Sequence, residues 1–252
     1  MIRNCVFASM MLFLMIFATK AMALPDPQVY FTFDVLGDPV DDSGNGNNGT
    51  LKGAVALNDD GKVGKCFEFN GLDAYVELKN VTNENFTHMC WIKADTPGHQ
   101  ANAHAYGGSG LIWSDVGGAN NDYASAVLGT KFAFFVGTPN TTVTSTSDVT
   151  TGEWVHVAAA RSVDTGDFAI YVNGVLEGTV EGHANKNPLT GNPLNAIGAN
   201  PLDNRYYTGL IDEVKLFNVV LTVEEIQQIM EPVAVASEGK LTTTWGEIKR
   251  LF

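Results

Sequence analysis

One carboxylate in this sequence occupies a position where a charged group needs a specific partner. Residues 209–217 are predicted to form a strand with a period of two. In that pattern Asp212 shares a row with the aliphatic residues Leu210, Val214 and Leu216, and the other face carries Ile211, Glu213, Lys215 and Phe217. Burying an unpaired charge costs several kcal/mol. Asp212 is therefore predicted to meet a metal ion, a basic side chain such as Arg205, or backbone N–H groups.

A second group of residues combines aromatic rings with acidic and basic side chains beside two loops. Sugar rings present apolar C–H faces and a rim of hydroxyls, so aromatic platforms next to carboxylates and amides suit them. In the alternative, Trp113 belongs to the core and Tyr206 only packs against a strand end. The predicted ligand-binding residues are Trp113, Asp115, Asp122, Tyr123, Arg205 and Tyr206.

The sequence lacks the patterns of common hydrolases, so we predict a protein that is not an enzyme. A glycosidase needs two carboxylates roughly 5 to 9.5 Å apart. A strand supplies them as alternating acidic residues, whereas Asp212 and Glu213 are adjacent and are predicted to point to opposite faces. A Gly-x-Ser-x-Gly elbow, a P-loop and a His-Glu-x-x-His helix are also missing.

The elements that must position these residues are almost entirely strands. More than ten short apolar runs are separated by turns rich in Gly, Asn and Asp. Asn173-Gly174 predicts a type I′ hairpin, and Gly129-Thr130 predicts another tight hairpin. Residues 222–230 form the one predicted helix, with Thr222 as N-cap and Glu225 completing a capping box. The fold class is therefore an all-β antiparallel β-sandwich, or jelly roll, with one short C-terminal helix.

Charge and the N-terminal segment indicate an exported protein. The chain has 15 basic and 28 acidic residues and a net charge of −13, which argues against nucleic acid or an anionic membrane as partner. Residues 1–23 resemble a signal peptide, with Arg3, an apolar run and Ala21-Met22-Ala23 before the predicted cleavage. A membrane anchor is the alternative, but the run is shorter than the ~20 residues that span a bilayer. We expect a secreted or extracytoplasmic location, at the cell surface or in the periplasm, without membrane insertion after cleavage.

Two cysteines remain after signal removal, Cys66 and Cys90. An even pair in an oxidising compartment favours a disulfide. Both cysteines lie in predicted strands, and if those strands were side by side a bridge would add roughly 3 kcal/mol of stability. The alternative is two buried thiols that pack as small apolar groups. We predict the disulfide.

Several short motifs in a fixed order resemble a known family. They run from residue 29 to residue 230 and end with Gly-Leu-Ile-Asp-Glu-Val-Lys-Leu-Phe, an Asn-x-x-Leu-Thr turn and a Glu-Glu-Ile helix. Together they resemble laminin-G-like domains of the concanavalin A-like lectin/glucanase superfamily. The earlier motifs are residues 30–34 (YFTFD), 42–51 (DSGNGNNGTL), 61–65 (GKVGK), 69–71 (FNG), 73–76 (DAYV), 86–87 (FT) leading to Trp91, 153–158 (EWVHVA) and 170–174 (IYVNG).

The resemblance implies a structural calcium ion in many relatives. Calcium takes oxygens from carboxylates, amides and carbonyls, which loops rich in Asp, Asn and Gly supply. Asp34 follows the first strand and Asp212 lies in the last, and the family places these strands side by side. We predict Asp34 and Asp212 as metal ligands. In the alternative, the acidic and amide residues form turns and Asp212 accepts backbone N–H groups.

Together these features predict a laminin-G-like β-sandwich over residues 24–231, followed by a C-terminal tail, residues 232–252. The expected function is a secreted, non-catalytic module that binds carbohydrate or a glycoprotein and is stabilised by calcium. One alternative is a structural or adhesive surface protein that the tail attaches to something larger. Another is a sandwich-fold glycoside hydrolase with carboxylates from distant strands. The tail is either an attachment or recognition signal, a docking strand, or a weakly ordered end.

Overall fold

The computed structural model describes residues 23–118 and 120–231 of the chain. The predicted signal peptide, apart from Ala23, and the predicted tail, residues 232–252, lie outside the described residues. Among the described residues, no helix is long and apolar enough to cross a membrane.

Two large antiparallel sheets pack face to face, which confirms the predicted all-β sandwich. Sheet A has eight strands, in the spatial order β13 (Val175–Val180), β12 (Phe168–Val172), β11 (Val155–Arg161), β6 (Phe86–Lys93), β17 (Thr208–Phe217), β4 (Cys66–Asn70) and β3 (Ala56–Asn58), with β1 (Val29–Phe31) also paired to β17. Sheet B has seven, in the order β10 (Thr141–Asp148), β9 (Lys131–Val136), β8 (Tyr123–Leu128), β7 (Ser109–Ser114), β14 (Leu194–Ile197), β5 (Tyr75–Lys79) and β2 (Thr50–Lys52). The remaining elements are the hairpin of β15 (Ala199–Asn200) and β16 (Arg205–Tyr206), a 3₁₀ turn (Ala105–Gly107) and the helix α1 (Val223–Met230).

The inner faces of the two sheets form the main core. Aromatic side chains fill it, among them Phe67 of sheet A and Phe134 of sheet B, both 0% exposed. Smaller apolar clusters lie on the outer faces, one around Trp113 on sheet B and one beneath α1 on sheet A. Both sheets are thus partly covered on the outside as well.

The two hairpins and the helix form where the sequence predicts them. Asn173 and Gly174 join β12 to β13 with φ values of 49° and 71°, the two positive values of a type I′ turn. Leu128 pairs with Lys131 across the Gly129-Thr130 turn. In α1 the Thr222 hydroxyl accepts the Glu225 N–H group and the Glu225 carboxylate accepts the Thr222 N–H group, which confirms the capping box.

The regular alternation predicted for β17 is wrong. The pairing of β17 with β6 is interrupted between Asp212 and Lys215, and Glu213 has a φ of 51°. This bulge adds one residue and changes which side chains share a face. Asp212, Glu213 and Lys215 all lie on the outer face, while Val214 points into the main core. Asp212 and Glu213 therefore do not point to opposite faces.

The predicted disulfide is also wrong, because Cys66 and Cys90 are free and buried. Their strands, β4 and β6, lie on either side of β17. Two inter-strand steps amount to about 10 Å, beyond the ~7 Å that a bridge allows between Cα atoms. Cys90 belongs to the main core, whereas Cys66 lies on the opposite side of sheet A beside Asp212. The alternative prediction, that Cys66 and Cys90 are two buried thiols without a bridge, is the correct one.

Candidate functional site

Two carboxyl groups meet where the β7–β8 hairpin turns. Asp115 follows the end of β7, and Asp122 precedes β8 and is 1% exposed. The two side chains share a hydrogen bond, and Asp122 Oδ2 also accepts the Val116 N–H group at 3.2 Å. We call Asp115, Asp122 and the described residues between them, 116–118 and 120–121, the rim site.

One oxygen of the rim site is left without a conventional partner. Asp122 Oδ1 is buried and accepts no N–H group or hydroxyl of the described residues. It faces Gly137, where an added Cβ would lie 2.0 Å from Asp122 Oδ1 and 2.4 Å from Asn120 O. A glycine at 137 is therefore required for two oxygens, one charged and one carbonyl, to approach the same point.

The electrostatics of the rim site favour a positive ligand. Burial raises the pKa of Asp115, and its hydrogen bond to Asp122 and the charges of Asp122 and Asp203 raise that pKa further. Burial also raises the pKa of Asp122. Two carboxyl groups in contact share a proton because both cannot ionise cheaply. A cation would replace that proton.

A third element, the loop between β13 and β14, holds the rim site in place. The Gly191 N–H group donates to Asn121 O at 2.6 Å, and the Asn192 side chain donates to Asp115 O at 3.3 Å. The Asn185 side chain donates to Gly137 O at 2.8 Å. The sequence analysis did not single out this loop, although its many asparagines, which often tie loops together, were a usable signal.

The guanidinium of Arg161 anchors the same loop. This side chain is 1% exposed and donates to three backbone carbonyl oxygens, those of Glu84, Asn185 and Asn187, at 2.9 to 3.1 Å. Burial lowers its pKa to about 10, which still leaves it charged at neutral pH. Arg161 was also missed, because only the folded chain brings these carbonyl groups to the end of β11.

Trp113 and Arg205 lie on the outer face of sheet B, and neither has a hydrogen bond to Asp115 or Asp122 within the described residues. Trp113 is 1% exposed in a cluster with Ala124 and Phe135, and its Nε1 atom has no partner among the described residues. The alternative prediction, a packed Trp113, is therefore the correct one. The Arg205 guanidinium pairs with Asp203 at 2.7 Å, and Asp203 is close enough to raise the pKa of Asp115. Arg205 is therefore connected to the acid pair only indirectly, by its ion pair with Asp203.

The other two predicted ligand residues lie elsewhere. Tyr123 is 0% exposed in the main core, where its hydroxyl donates to Asn195 Oδ1 at 3.2 Å. It does not line a surface, which corrects the prediction, because the residue next to Asp122 along β8 points to the inner face. Tyr206 is half-buried, and its ring centroid lies 6.4 Å from that of Tyr75. Tyr206 therefore belongs to the β15–β16 hairpin and not to the acid pair.

The predicted calcium pair, Asp34 and Asp212, does not have the donor set of a calcium site. Asp212 is 0% exposed and accepts the N–H groups of Val63 at 3.0 Å and of Glu213 at 2.8 Å. Asp34 accepts the Lys65 N–H group at 2.7 Å. Both carboxylates face N–H donors of the 61–65 turn, which repel a cation. The structure gives Asp212 the backbone N–H partners that were one of its three predicted possibilities.

The rim site presents oxygens of the kind that hard cations prefer. These are the carboxyl oxygens of Asp115 and Asp122 and the carbonyl oxygen of Asn120, which also accepts the Thr138 hydroxyl at 2.8 Å. Within the described part of the chain no group of three or more His, Cys, Asp or Glu side chains could hold a metal ion. Backbone carbonyl groups and water would therefore have to complete the coordination of any ion at this place.

Comparison with known proteins identifies the family. The laminin-G-type family model of the concanavalin A-like lectin/glucanases superfamily matches residues 70–227. The chain belongs to this family, as the order of its motifs predicts. The search among curated proteins found no match.

Solved structures share the fold at low sequence identity. Domain 4 of AbnA, a GH43 extracellular arabinanase from Geobacillus stearothermophilus, solved in complex with arabinotriose, is 22% identical with a TM-score of 0.67, over 83% of this chain and 100% of that one. The binding domain of botulinum neurotoxin serotype D/C is 17% identical with a TM-score of 0.58. The binding domain of botulinum neurotoxin DC in complex with rat synaptotagmin II is 16% identical with a TM-score of 0.60. The matched region comprises 81% of this chain but only 51% of each neurotoxin chain, so this chain spans about half the length of those two proteins.

Proposed function

We propose that this chain is an exported, non-catalytic module that binds carbohydrate or a glycoprotein at the rim site. The observation that carries the proposal is the pair Asp115 and Asp122, two carboxyl groups in contact, of which Asp122 Oδ1 accepts no N–H group of the described residues. Two buried acids in contact cannot both ionise cheaply, so the pair favours a ligand that brings hydroxyls or positive charge. Sugar hydroxyls and divalent cations are both suitable partners.

The geometry of the pair supports binding and not hydrolysis. The carboxyl groups of Asp115 and Asp122 are joined by a hydrogen bond. Glycosidases separate their two carboxyl groups by roughly 5 to 9.5 Å, because the scissile bond, and in one class a water, must fit between them. The fold relatives include an arabinanase domain solved in complex with arabinotriose and a neurotoxin binding domain solved in complex with synaptotagmin II.

Calcium is part of the proposal, at the rim site in place of Asp34 and Asp212. Asp115, Asp122 and the carbonyl of Asn120 would hold it, and the ion would neutralise the carboxylates and offer open positions to sugar hydroxyls. The hydrogen bonds from Asn185 to Gly137 O and from Gly191 to Asn121 O hold the loops around the site. Ion binding would release the proton that the acid pair shares.

Calorimetric titration with a panel of neutral and sialylated oligosaccharides, arabinotriose among them, tests the proposal. The full mature chain should bind at least one compound in 2 mM calcium, and Asp122→Asn should abolish that binding. The matched control is Asp95→Asn, since Asp95 is an exposed acid that bonds only its neighbour Thr96. The control should bind like the wild type.

Two outcomes would overturn the glycan proposal. If no oligosaccharide binds while a purified non-glycosylated protein partner does, the adhesive alternative is correct. If any polysaccharide of the panel releases reducing sugar in the presence of the wild-type chain but not of Asp115→Asn, the chain is a hydrolase. Equal glycan binding by wild type and Asp122→Asn would place the binding site elsewhere on the sandwich.

A further inference from the structure

A groove opens beside β1, far along the chain from the rim site. It has a volume of about 330 Å³ and is lined by residues 31–40, Asp42 and Phe67. Its wall contains Phe31, Phe33 and Phe67, with 4.3 Å between the ring centroids of Phe33 and Phe67. A buried apolar cavity of ~150 Å³ binds benzene. The groove is therefore large enough for an aromatic side chain.

The lip of the groove is apolar and exposed. Three large apolar side chains within residues 35–40 are exposed to solvent: Val35 (77%), Leu36 (52%) and Val40 (67%). Their loop is fixed in place, since the Gly49 N–H group donates to Pro39 O at 2.9 Å and the Leu51 N–H group donates to Asp38 Oδ1 at 2.8 Å. Exposed apolar side chains on an ordered loop indicate a surface that another segment covers.

The same lip carries uncompensated negative charge. Asp34, Asp38 and Asp42 are exposed, and none of them pairs with a lysine or arginine of residues 23–118 or 120–231. Each uses one oxygen for a bond within the sandwich, to Lys65 N, Leu51 N and the Thr32 hydroxyl respectively. A second oxygen on each carboxylate is available. An occupant of the groove should therefore be both apolar and basic.

A continuous set of contacts links the groove to the end of α1. The Trp91 indole N–H donates to Met230 O at 3.2 Å, and the Lys62 ammonium lies 3.8 Å from the Trp91 ring centroid. Lys62 belongs to the turn whose Lys65 N–H group donates to Asp34. The chain thus leaves α1 at Glu231 on the outer face of sheet A, next to the 61–65 turn that contacts Asp34 at the edge of the groove.

The segment that follows α1 has the required chemistry. Residues 248–252 read Ile-Lys-Arg-Leu-Phe, two basic side chains flanked by three apolar ones. Residues 232–252 contain three basic and two acidic side chains, in a chain whose net charge is −13. At ~3.3 Å per residue this length spans up to about 70 Å, so distance does not limit its reach.

We propose that residues 248–252 dock in this groove within the same chain. Leu251 or Phe252 fills the aromatic cavity, and Lys249 and Arg250 pair with Asp38 and Asp42. Tethering favours the intramolecular contact, because a short linker gives an effective concentration near the millimolar range. The docked segment covers Val35, Leu36 and Val40.

Disulfide trapping in the full chain tests the docking. The variant Val40→Cys with Leu251→Cys should form an internal cross-link under mild oxidation, several-fold more completely than the control Val175→Cys with Leu251→Cys. Val175 is a stringent control because it is exposed (59%) and lies close to the end of α1. A Cβ atom added to the preceding residue, Gly174, would lie only 3.1 Å from the Met230 side chain. Lys249→Glu with Arg250→Glu should reduce the Val40 cross-link to the control level.

Hydrogen exchange provides a second measurement that needs no cysteines. In the full chain, Lys249→Glu with Arg250→Glu should accelerate exchange at residues 33–42, with no change at 115–122. Equal cross-linking at Val40 and Val175, or unchanged exchange at 33–42, overturns the proposal. A cross-link that forms only between two chains, seen as a dimer on a denaturing gel, also overturns it, because it would assign the groove to a second copy.

Discussion

Asp212 and the Asp115–Asp122 pair are both buried acids on a β-sandwich, yet their surroundings differ. Asp212 accepts the N–H groups of Val63 and Glu213, so its oxygens are satisfied by the fold itself. Asp122 Oδ2 accepts the Val116 N–H group, whereas Asp122 Oδ1 is buried and accepts no N–H group of the part of the chain that the structure describes. The first arrangement completes a structure, whereas the second leaves room for a ligand.

The difference follows from the position of each acid along its strand. The bulge in β17 places Asp212 against the 61–65 turn, whose N–H groups point outwards from the turn. Asp115 and Asp122 lie where β7 ends and β8 begins, and there the neighbouring loops present carbonyl oxygens such as Asn120 O. N–H donors stabilise a carboxylate directly, while carbonyl oxygens stabilise it only through a bridging cation or hydroxyl.

Removing the Asp212 carboxylate should have the largest effect on stability. Asp212→Ala leaves two buried N–H groups without acceptors, each worth about 1–3 kcal/mol, so the free energy of unfolding should fall by about 3 kcal/mol or more. Urea unfolding measures this change. The control Asp34→Ala removes an exposed acceptor and should cost less than about 1 kcal/mol. Equal losses in the two variants would contradict the assigned role of Asp212.

Calcium should stabilise the chain through the acid pair alone. At a hundredfold excess over the dissociation constant, one bound ion adds about 2.7 kcal/mol, so the melting temperature should rise by several degrees. Asp122→Asn should lose this rise, and Asp212→Asn should retain it. Calorimetric melting with calcium and with chelator measures both. A rise that disappears only in Asp212→Asn would restore the original calcium assignment.

Without divalent cations, the contributions of Asp212 and Asp115 to stability should fall as the pH rises from 5 to 8. Burial is the main cause that raises the pKa of Asp212 to about 7, and it also raises that of Asp115. An unfolded aspartate titrates near pH 4, so over this window each of these two groups binds more protons in the folded chain than in the unfolded chain, and its contribution is lost as the pH passes its folded pKa. The buried His88 and His156 act in the opposite sense below about pH 7, because burial lowers their pKa to about 3, so the loss from the two aspartates is measured as the difference between wild type and variants that lack them.

We expect this loss to be on the order of 1–2 kcal/mol in urea unfolding between pH 5 and pH 8. Asp115→Asn should remove one part of the slope and Asp212→Asn the other, since an amide does not titrate. Calcium should flatten only the part that belongs to Asp115. A slope that is the same in wild type and in both variants would show that other groups control it.

Reduction should have the smallest effect. A native disulfide closing the segment between Cys66 and Cys90 would contribute roughly 3 kcal/mol, but both thiols are free. Dithiothreitol should therefore leave the melting temperature unchanged within error. A fall of several degrees would mean that the region around Asp212 depends on a covalent link as well as on hydrogen bonds.

Local features could be predicted because neighbouring residues determine them. The Asn173-Gly174 turn needs two positive φ values, which these residue types accept. The capping box of Thr222 and Glu225 spans a single helical turn. The edge strand β10 was not predicted, since its run of Thr and Ser gives a weak apolar pattern even though Val143 reaches the core.

The candidate site was predicted in part for the same reason. Asp115 and Asp122 flank one hairpin loop, so their proximity follows from the sequence. Tyr123 was assigned to the wrong face, because alternation along a strand does not say which face meets the core. Arg161 and Asn185 come from distant parts of the chain. No local sequence pattern predicts the hydrogen bonds from Arg161 to Asn185 O and from Asn185 to Gly137 O.

The sequence by itself determined an acidic β-sandwich of this family, its tight turns, its capped helix and the hairpin that carries Asp115 and Asp122. Only the tertiary structure decided that β17 lies between Cys66 and Cys90, that a bulge turns Glu213 to the side of Asp212, and that backbone N–H groups satisfy this acid. The physical reason is that turns and caps depend on residues a few positions apart. Strand order and bulges instead depend on packing between residues separated by more than a hundred positions.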